Sequence, residues 1–217
     1  SQLVASMKDS NGKITIDGFY DDVLELSDEE RADIARVPYD EEAYIKELKV
    51  TGLHGEEGYS TRERLWARPT LDVNGIFGGY QGMGSKTVHP SEASVKITCR
   101  LVSNQSPEVI YNLICRHVDK HLPAGVKSEV QQLAGSADPF VMPRSHNANQ
   151  VAREILEEVY DMEPYVTRLG GSIPIMTIFL KELGVYGTMF GFSVGDENLH
   201  APNEFFRLKN FIRGQEA

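Results

Sequence analysis

Residues 94–118 read SVKITCRLVSNQSPEVIYNLICRHV and contain the pattern that decides the fold. Apolar and polar side chains alternate from Ser94 to Val102, as expected for a β-strand with one buried face. Ser106 and Pro107 are typical of an N-cap and a first helical position. The helix that follows would carry one apolar stripe, formed by Ile110, Leu113, Ile114 and Val118. The pattern therefore predicts a two-layer α+β domain with a half-buried sheet.

Upstream of this stretch, the sequence predicts short helices and a further strand. Ser27 and Glu30 have capping-box spacing and open an acidic helix that Pro38 ends. A second helical pattern covers residues 41–48. Residues 65–73 resemble a strand that a proline interrupts, which places them at a sheet edge or bulge. The acidic run over residues 25–42 favours a solvated helical face, with docking of a basic partner as the alternative.

Downstream, the pattern changes at a turn-rich segment. Residues 126–130 predict one more short strand, and residues 134–139 mark a domain boundary. The rest predicts a helix at 148–159, a helix from Ile173, a buried strand at 186–192 and a final helix at 203–214. About 80 residues of this α/β type are too few to close a doubly wound sheet. We therefore predict one domain at 1–135 and an incomplete α/β remnant at 136–217.

The composition of the chain excludes some classes of binding partner. The 217 residues include 22 Lys and Arg against 32 Asp and Glu, so the formal net charge is 22 − 32 = −10. Such a surface repels nucleic acid and anionic membranes. The sequence has no apolar run long enough to span a bilayer. Two cysteines, Cys99 and Cys115, do not make a disulfide framework in a chain of this length, and they favour a reducing cytoplasm.

The segment TRLGGSIP, residues 167–174, joins a glycine pair to a helix start. Free N–H groups and the positive end of the helix dipole would suit a carboxylate or a phosphate there. Arg168 adds a bidentate donor for the same kind of anion. The alternative is a purely structural helix with Ser172 as its N-cap.

Single residues elsewhere allow two interpretations each. His200, flanked by carboxylates in the segment GDENLHAPNE (195–204), suits a metal ligand or general base, or it is a solvated loop histidine. Arg100 lies on the polar face of the predicted strand, where a solvated arginine is the ordinary case. His117 and His121 have helical i, i+4 spacing that could bind a metal, although a surface pair is favoured.

The glycine-rich segment 75–87 invites comparison with a phosphate-binding loop. Such a loop needs the order Gly-Lys-Ser/Thr, whereas this one has Gly84-Ser85-Lys86. A strand pattern follows it instead of a helix. We therefore predict a mobile hairpin loop whose backbone can approach a ligand or another subunit.

Four segments taken in order are what point to a family. They are GMGSKTVHP (82–90), ITCRLV (97–102), TRLGGSIP (167–174) and DENLHAPNE (196–204). The chain resembles the dinuclear zinc metallopeptidases that include carnosinase-like dipeptidases, acetylornithine deacetylase and succinyl-diaminopimelate desuccinylase. It looks most similar to the dipeptidase branch.

The resemblance implies a catalytic domain that binds two metals and carries an inserted lid. The lid would be a four-stranded antiparallel sheet with two helices on one face, and it would join two subunits in a homodimer. Residues 1–135 would form the lid, with an acidic helical insertion near its start. Residues 136–217 would form the C-terminal part of the catalytic domain.

The resemblance also assigns roles to residues. His200 would be a metal ligand, and the metals would be zinc, with manganese or cobalt as alternatives. Thr87 and Arg100 would reach the substrate from the lid, with Thr87 able to act across the dimer. Three residues would bind the terminal carboxylate and peptide of a dipeptide or N-acyl amino acid: Arg168, Gly171 and Ser172.

Most of such a catalytic site has no position in this sequence. The family's other metal ligands, its general-base glutamate and its lid histidine would all lie upstream. Residues 1–7 resemble the last turns of a helix already in progress, and the final helix has little tail, so we expect a fragment of a metallodipeptidase. One histidine cannot give two zinc ions about four donors each, so we expect this polypeptide alone to be inactive. The alternatives are a non-catalytic dimerisation or binding module and an unrelated anion-binding α+β domain.

Overall fold

A computed structural model describes residues 1–168 and 173–217. The chain divides into two compact units. Unit 1 comprises Ser1–Phe140 with Thr167–Pro174, and unit 2 comprises Val141–Val166 with Ile175–Ala217. Along the chain the elements are α1 (Gln2–Ala5), α2 (Asp28–Arg36), α3 (Glu41–Leu48), α4 (Thr61–Ala67), β1 (Thr70–Gly78), β2 (Ala93–Arg100), α5 (Pro107–His121), α6 (Asn147–Tyr160), α7 (Pro174–Ile178) and α8 (Leu208–Glu216). A π-helical turn at Phe179–Leu183 continues α7, and a single 3₁₀ turn covers Gly195–Glu197.

The sheet of unit 1 is an antiparallel hairpin of β1 and β2. Its register runs from Thr70 opposite Arg100 to Gly78 opposite Ala93, with a bulge between Val73 and Gly75. The two strands are joined by residues 79–92, so a hairpin loop is confirmed, although residues 75–78 of the predicted loop belong to β1. The bulge residue Asn74 accepts a hydrogen bond from the Thr98 hydroxyl at 2.7 Å, which keeps the extra residue bonded to the neighbouring strand.

The core of unit 1 lies between this hairpin and α5. Alternation on β2 is confirmed, because Ile97 and Cys99 pack against the core while Lys96, Thr98 and Arg100 are exposed. The fully buried residues of the core are Met7, Ile14, Ile16, Phe19, Leu71, Ile110, Leu113 and Val118. Gln105 closes the gap after β2, since its amide donates to the Phe19 carbonyl at 2.8 Å and accepts from the Val102 N–H at 3.0 Å. The stripe of apolar residues predicted on α5 therefore forms one wall of the core.

Two capping boxes organise the acidic segment before the hairpin. Ser27 and Glu30 cap α2 as predicted, and the helix ends before Pro38. The pattern at 41–48 is also confirmed as α3. The strand-like interpretation of residues 65–73 was wrong for its first half. Ser60 and Glu63 form a second capping box that starts α4, and Pro69 separates this helix from β1.

The structure also differs from expectation in its other strands. Residues 126–130 form no strand; Val126 is exposed, and the Val130 carbonyl instead accepts the Tyr111 hydroxyl at 2.9 Å. Residues 186–192, expected as a buried strand, form none either and leave Met189 and Phe190 exposed. Within 1–168 and 173–217 the sheet has two strands, so the four-stranded expectation is not confirmed. A strand needs a neighbour to pair with its N–H and C=O groups, and those segments lack one in the described part of the chain.

Unit 2 consists mainly of helices. The predicted helix at 148–159 is confirmed as α6, and the final helix, predicted at 203–214, is α8 but begins at Leu208. The helix expected from Ile173 begins at Pro174. Across the described ranges, no helix is both long and apolar enough to cross a membrane.

Candidate functional site

The loop that carries His200 is closed by one buried carboxylate. Glu197 is 0% exposed. Its Oε2 accepts the Val194 N–H at 3.1 Å, and its Oε1 accepts the Arg207 N–H at 3.1 Å. The Phe205 N–H also donates to the Glu197 carbonyl at 3.1 Å. Both ends of the loop are therefore bonded to one residue, and His200 lies exposed between them.

Arg207 neutralises the acidic residues of this loop. Its guanidinium binds both oxygens of Asp196 at 2.7 Å each and reaches Glu197 Oε1 at 3.3 Å. The hydrogen bond and charge of Arg207 lower the pKa of Asp196, and the hydrogen bond that Arg207 donates to Asp196 raises the pKa of Arg207. The sequence allowed His200 to be a metal ligand or general base that a neighbouring acid orients, with a solvated loop histidine as the alternative. Asp196 and Glu197 bind Arg207 instead, and sequence reasoning missed this arginine because no periodic pattern links it to the motif.

The backbone at His200 has an uncommon conformation. Its φ is +61°, and Asn198 and Asn203 also lie in the left-handed region, at +54° and +63°. Asparagine and histidine tolerate this region better than most residues, although it remains unfavourable without glycine. A hydrogen bond from the Ala201 N–H to the Asn198 carbonyl at 2.9 Å stabilises the turn. The turn thus holds the backbone of His200 in the left-handed region.

Arg168 forms an ion pair inside unit 1. Its guanidinium contacts Oε1 of Glu30, the residue whose Oε2 accepts the Ser27 N–H in the α2 capping box. The side chains of Arg168 and Glu30 are each about one-third exposed, at 33% and 29%. Arg168 therefore binds a carboxylate of the chain itself, and its binding of a ligand carboxylate stays a prediction. Gly171 and Ser172 lie outside the described residues.

Thr87 and Arg100 lie at opposite ends of the hairpin. Thr87 is exposed in the 79–92 loop, beyond the end of the hairpin where Gly78 pairs with Ala93. Arg100 is exposed at the other end, opposite Thr70. At about 3.3 Å per residue, β2 separates its two ends by about 23 Å. The hairpin therefore does not bring these two residues to one site within a single chain.

The histidine pair of α5 is packed differently from the surface pair we favoured. His117 is buried, and its Nε2 lies 2.9 Å from the Ser6 hydroxyl. The Ser6 hydroxyl itself donates to the Leu3 carbonyl at 2.8 Å, so its oxygen accepts a hydrogen bond from the Nε2–H of His117. The ring of His121 stacks on His117, with centroids 4.2 Å apart. Stacked parallel rings do not converge on one metal ion.

The described residues do not fit a complete metal site. In the ranges 1–168 and 173–217, no group of three or more His, Cys, Asp or Glu residues is arranged to hold an ion. His200 offers one exposed imidazole, whereas zinc takes about four donors. Burial raises the pKa of the Cys99 thiol to about 11.

Comparison with known proteins assigns the chain to a family. A family model described as a peptidase dimerisation domain of the M20 class matches residues 1–126. The chain belongs to the M20 peptidase dimerisation-domain family. The matched residues include the hairpin, α5 and the whole unit 1 core, so the sequence-based recognition of the metallopeptidases is confirmed.

Curated relatives of this M20 chain are dipeptidases by name. The Cys-Gly metallodipeptidase DUG1 of Candida albicans is 30% identical over 98% of the chain and 44% of its own length. The Beta-Ala-His dipeptidase of Rattus norvegicus is 27% identical over 99% of the chain and 44% of its own length. The M20 chain thus spans less than half the length of these two relatives.

Solved structures similar to the M20 chain are peptidases by name. The M20 family metallo-carboxypeptidase Sso-CP2 of Sulfolobus solfataricus matches with a TM-score of 0.83 and 31% identity, over 98% of this chain and 48% of that one. The di-peptidase Dug1p of Saccharomyces cerevisiae matches with a TM-score of 0.79 and 27% identity, over 99% and 45%. These similarities extend over both units, including the segments that carry Arg168 and His200.

Proposed function

We propose that this M20 chain is the substrate-binding and dimerisation part of a metal-dependent dipeptidase, a hydrolase of dipeptide amide bonds. One observation carries the proposal: nearly the whole chain aligns with proteins named as dipeptidases, two of them as metallodipeptidases, yet it covers under half of each. The four family motifs lie within this aligned length. The remaining ligands and the general base would belong to a longer polypeptide.

The proposed roles follow the placement of each residue. Residues 1–135 would form the lid, in which we expect two further strands to complete a four-stranded sheet. His200, presented by the Glu197 loop, would contribute one imidazole to a site for two zinc ions, with manganese or cobalt as alternatives. Arg168, with Gly171 and Ser172, would bind the terminal carboxylate of a dipeptide or N-acyl amino acid, and Arg100 and Thr87 would contact it from the lid.

The proposed setting is the cytoplasm. Cys99 and Cys115 are both free and half-buried, which suits a reducing compartment. The net charge of −10 disfavours nucleic acid as a partner. The proposed substrates are therefore small peptides, and the proposed macromolecular partner is a second copy of the chain.

Two activity assays test whether this chain needs the rest of a longer polypeptide for catalysis. The purified 217-residue chain, supplied with zinc or manganese, should hydrolyse no dipeptide, because a single histidine cannot assemble the centre. Measurable hydrolysis by this chain would contradict us. The longer polypeptide encoded upstream of Ser1 should cleave dipeptides in a metal-dependent way and lose activity in the variant His200→Ala.

Dimerisation is tested separately by light scattering. If the lid joins two subunits, the purified chain should have about twice its 24.2 kDa monomer mass. A monomeric mass at micromolar concentration would count against a lid-mediated dimer.

A non-catalytic module is the second candidate, because the described residues complete no metal site. The genomic reading frame separates the two. A start codon close to Ser1 favours the module, and an upstream frame with a histidine, an aspartate and paired glutamates favours the enzyme.

A further inference from the structure

The buried carboxylate of Glu197 has no role in the proposed chemistry and yet controls the loop around His200. It is 0% exposed and accepts from the N–H groups of Val194 and Arg207, each at 3.1 Å, and from the Arg207 guanidinium at 3.3 Å. The two backbone donors lie 13 positions apart in sequence, one on each side of the loop. A buried carboxylate persists only where donors satisfy it, so its charge and the loop closure depend on each other.

The closed loop holds His200 in a conformation that an open loop would abandon. A left-handed φ of +61° at a histidine is rarely adopted by a free chain, and Asn198 and Asn203 share that region. The amide of Asn198 reaches the Asn203 carbonyl at 3.5 Å, and the Phe205 N–H binds the Glu197 carbonyl at 3.1 Å. These bonds surround His200 on both sides in sequence. None of them involves its imidazole, which is left exposed for another partner.

We propose that Glu197 is a positioning residue for His200: its buried carboxylate closes the loop 194–207 and so fixes the direction of the imidazole. The purpose of this arrangement rests on the proposed function, in which His200 is a metal ligand. The loop closure itself does not depend on the proposed function, and it can be measured on this chain.

The decisive variant is Glu197→Gln, which keeps the shape of the side chain and replaces one acceptor oxygen by an NH₂ donor. The new NH₂ group would face the N–H of either Val194 or Arg207. Two donors would then face each other, and that backbone N–H would have no acceptor. The matched control is Asp196→Asn. Asp196 lies in the same loop and binds the same arginine, but its side chain is 69% exposed, so its loss should leave the loop closed.

Nuclear magnetic resonance of the purified chain provides the readout. In Glu197→Gln, the His200 Cα and imidazole signals should move towards unstructured values. Amide exchange at Ala201 and Phe205 should accelerate about tenfold or more, as the loss of a buried hydrogen bond implies. In Asp196→Asn, exchange should change less than about threefold. Equal effects of the two variants, or an unchanged His200, would overturn the proposal.

The amides of α6 report whether a variant is still folded. They should remain protected from exchange in both variants if only the position of His200 is lost. If Glu197→Gln exposes α6, Glu197→Asp is used instead. It retains the charge but is one methylene too short to reach both donors, and it should shift the His200 signals with α6 intact. Unchanged His200 signals in that variant would also overturn the proposal.

A final measurement distinguishes this inference from the proposed function. In the longer polypeptide, zinc content after dialysis should fall in Glu197→Gln and in His200→Ala, and remain normal in Asp196→Asn. Normal zinc in Glu197→Gln with depleted zinc in His200→Ala would overturn the positioning role alone. Normal zinc in His200→Ala would instead remove His200 from the metal site.

Discussion

Arg68 shows how much of the fold depends on a single buried charge. It is 7% exposed and binds both oxygens of Glu56 at 2.9 and 2.7 Å, with its guanidinium over the Tyr59 ring at 4.3 Å. Burial acts to lower the pKa of Arg68, but the hydrogen bond and charge of Glu56 outweigh it and raise the pKa. This contact fastens the segment between α3 and α4 to the unit 1 core.

The variant Arg68→Ala should lower the free energy of unfolding by about 3 kcal/mol, because it leaves the carboxylate of Glu56 buried without a partner. The measurement is urea denaturation of the purified chain. Glu25→Gln is the control, since Glu25 binds the same arginine at 3.4 Å but its side chain is 70% exposed. We expect it to cost less than about 1 kcal/mol. Similar losses in both variants would show that burial of the pair does not matter.

His117 should make stability depend on pH. Burial, and then the charge of His121, lower its pKa below the ordinary 6.5, although Asp17 acts in the opposite direction. An unfolded chain therefore takes up a proton as the pH falls through 6.5, while the folded chain does not until a lower pH. The free energy of unfolding should fall between pH 7.5 and pH 5.

The variant His117→Gln should flatten this dependence, as measured by urea denaturation at several pH values. His89, exposed in the hairpin loop, provides the control His89→Gln, which should retain the wild-type slope. Asp17 does not complicate the window, because Lys120 lowers the pKa of its carboxyl below 3.8. An unchanged slope in His117→Gln would assign the effect to other groups.

At the residue scale, the sequence predicted where a candidate site residue lies better than it predicted which side chain that residue binds. The motif around His200 correctly placed this residue in an exposed loop, since loops after turn-rich segments have a local signature. The partner of Arg168 is Glu30, 138 positions away, and that of Glu197 is Arg207, 10 positions away. Such pairs are created by tertiary packing, which a single sequence does not encode in any local pattern.

At the scale of elements, α4 shows a helix-capping signal that overrides a strand-like composition. Leu65, Trp66 and Ala67 resemble a strand by composition, but Ser60 and Glu63 exchange hydrogen bonds that start a helix. Glu63 also binds Arg31 at 2.7 Å, so this capping box is tied to α2. The cap has the same spacing as that of Ser27 and Glu30, and it could have been recognised in the sequence.

The variant Ser60→Ala should lower the free energy of unfolding by about 1 kcal/mol, because the Glu63 N–H loses its acceptor. Ser106→Ala is a matched control, since Ser106 is the N-cap of α5 but makes no side-chain cap hydrogen bond. It should change stability by less than about 0.5 kcal/mol. Urea denaturation of both variants checks this, and equal losses would mean that the cap of α4 contributes nothing specific.

Local sequence patterns predicted one of the expected strands correctly and failed for two others. β2 and α5 were predicted correctly because alternation, N-cap and stripe are all present within 25 consecutive residues, 94–118. The segments at 126–130 and 186–192 have the composition of strands but no ladder partner in the described chain. Strand formation depends on a second segment, so its failure here is consistent with partners that lie elsewhere.

At the scale of the whole molecule, the two units differ in what they bury. Every fully buried hydrophobic side chain among the described residues belongs to unit 1. In the described part of unit 2, the fully buried residues are Glu197 and Asn210, both polar. On α8, Leu208, Phe211 and Ile212 lie at i, i+3 and i+4 and are all exposed. An apolar helical face of this kind normally packs against another element.

We therefore expect unit 2 to be loosely packed in the isolated chain and to bind a hydrophobic dye. The triple variant Leu208→Ser, Phe211→Ser and Ile212→Ser should lower dye fluorescence clearly, whereas Met83→Ser, at an isolated residue 98% exposed in the hairpin loop, should not. Amide exchange gives a second measure, with α8 exchanging faster than α5 because α5 faces a buried core. In the longer polypeptide that we propose, α8 should become protected, because we expect the added residues to cover this face. Protection of α8 already in the isolated chain would mean that unit 2 completes its own core, and the need for a larger catalytic domain would lose its physical basis.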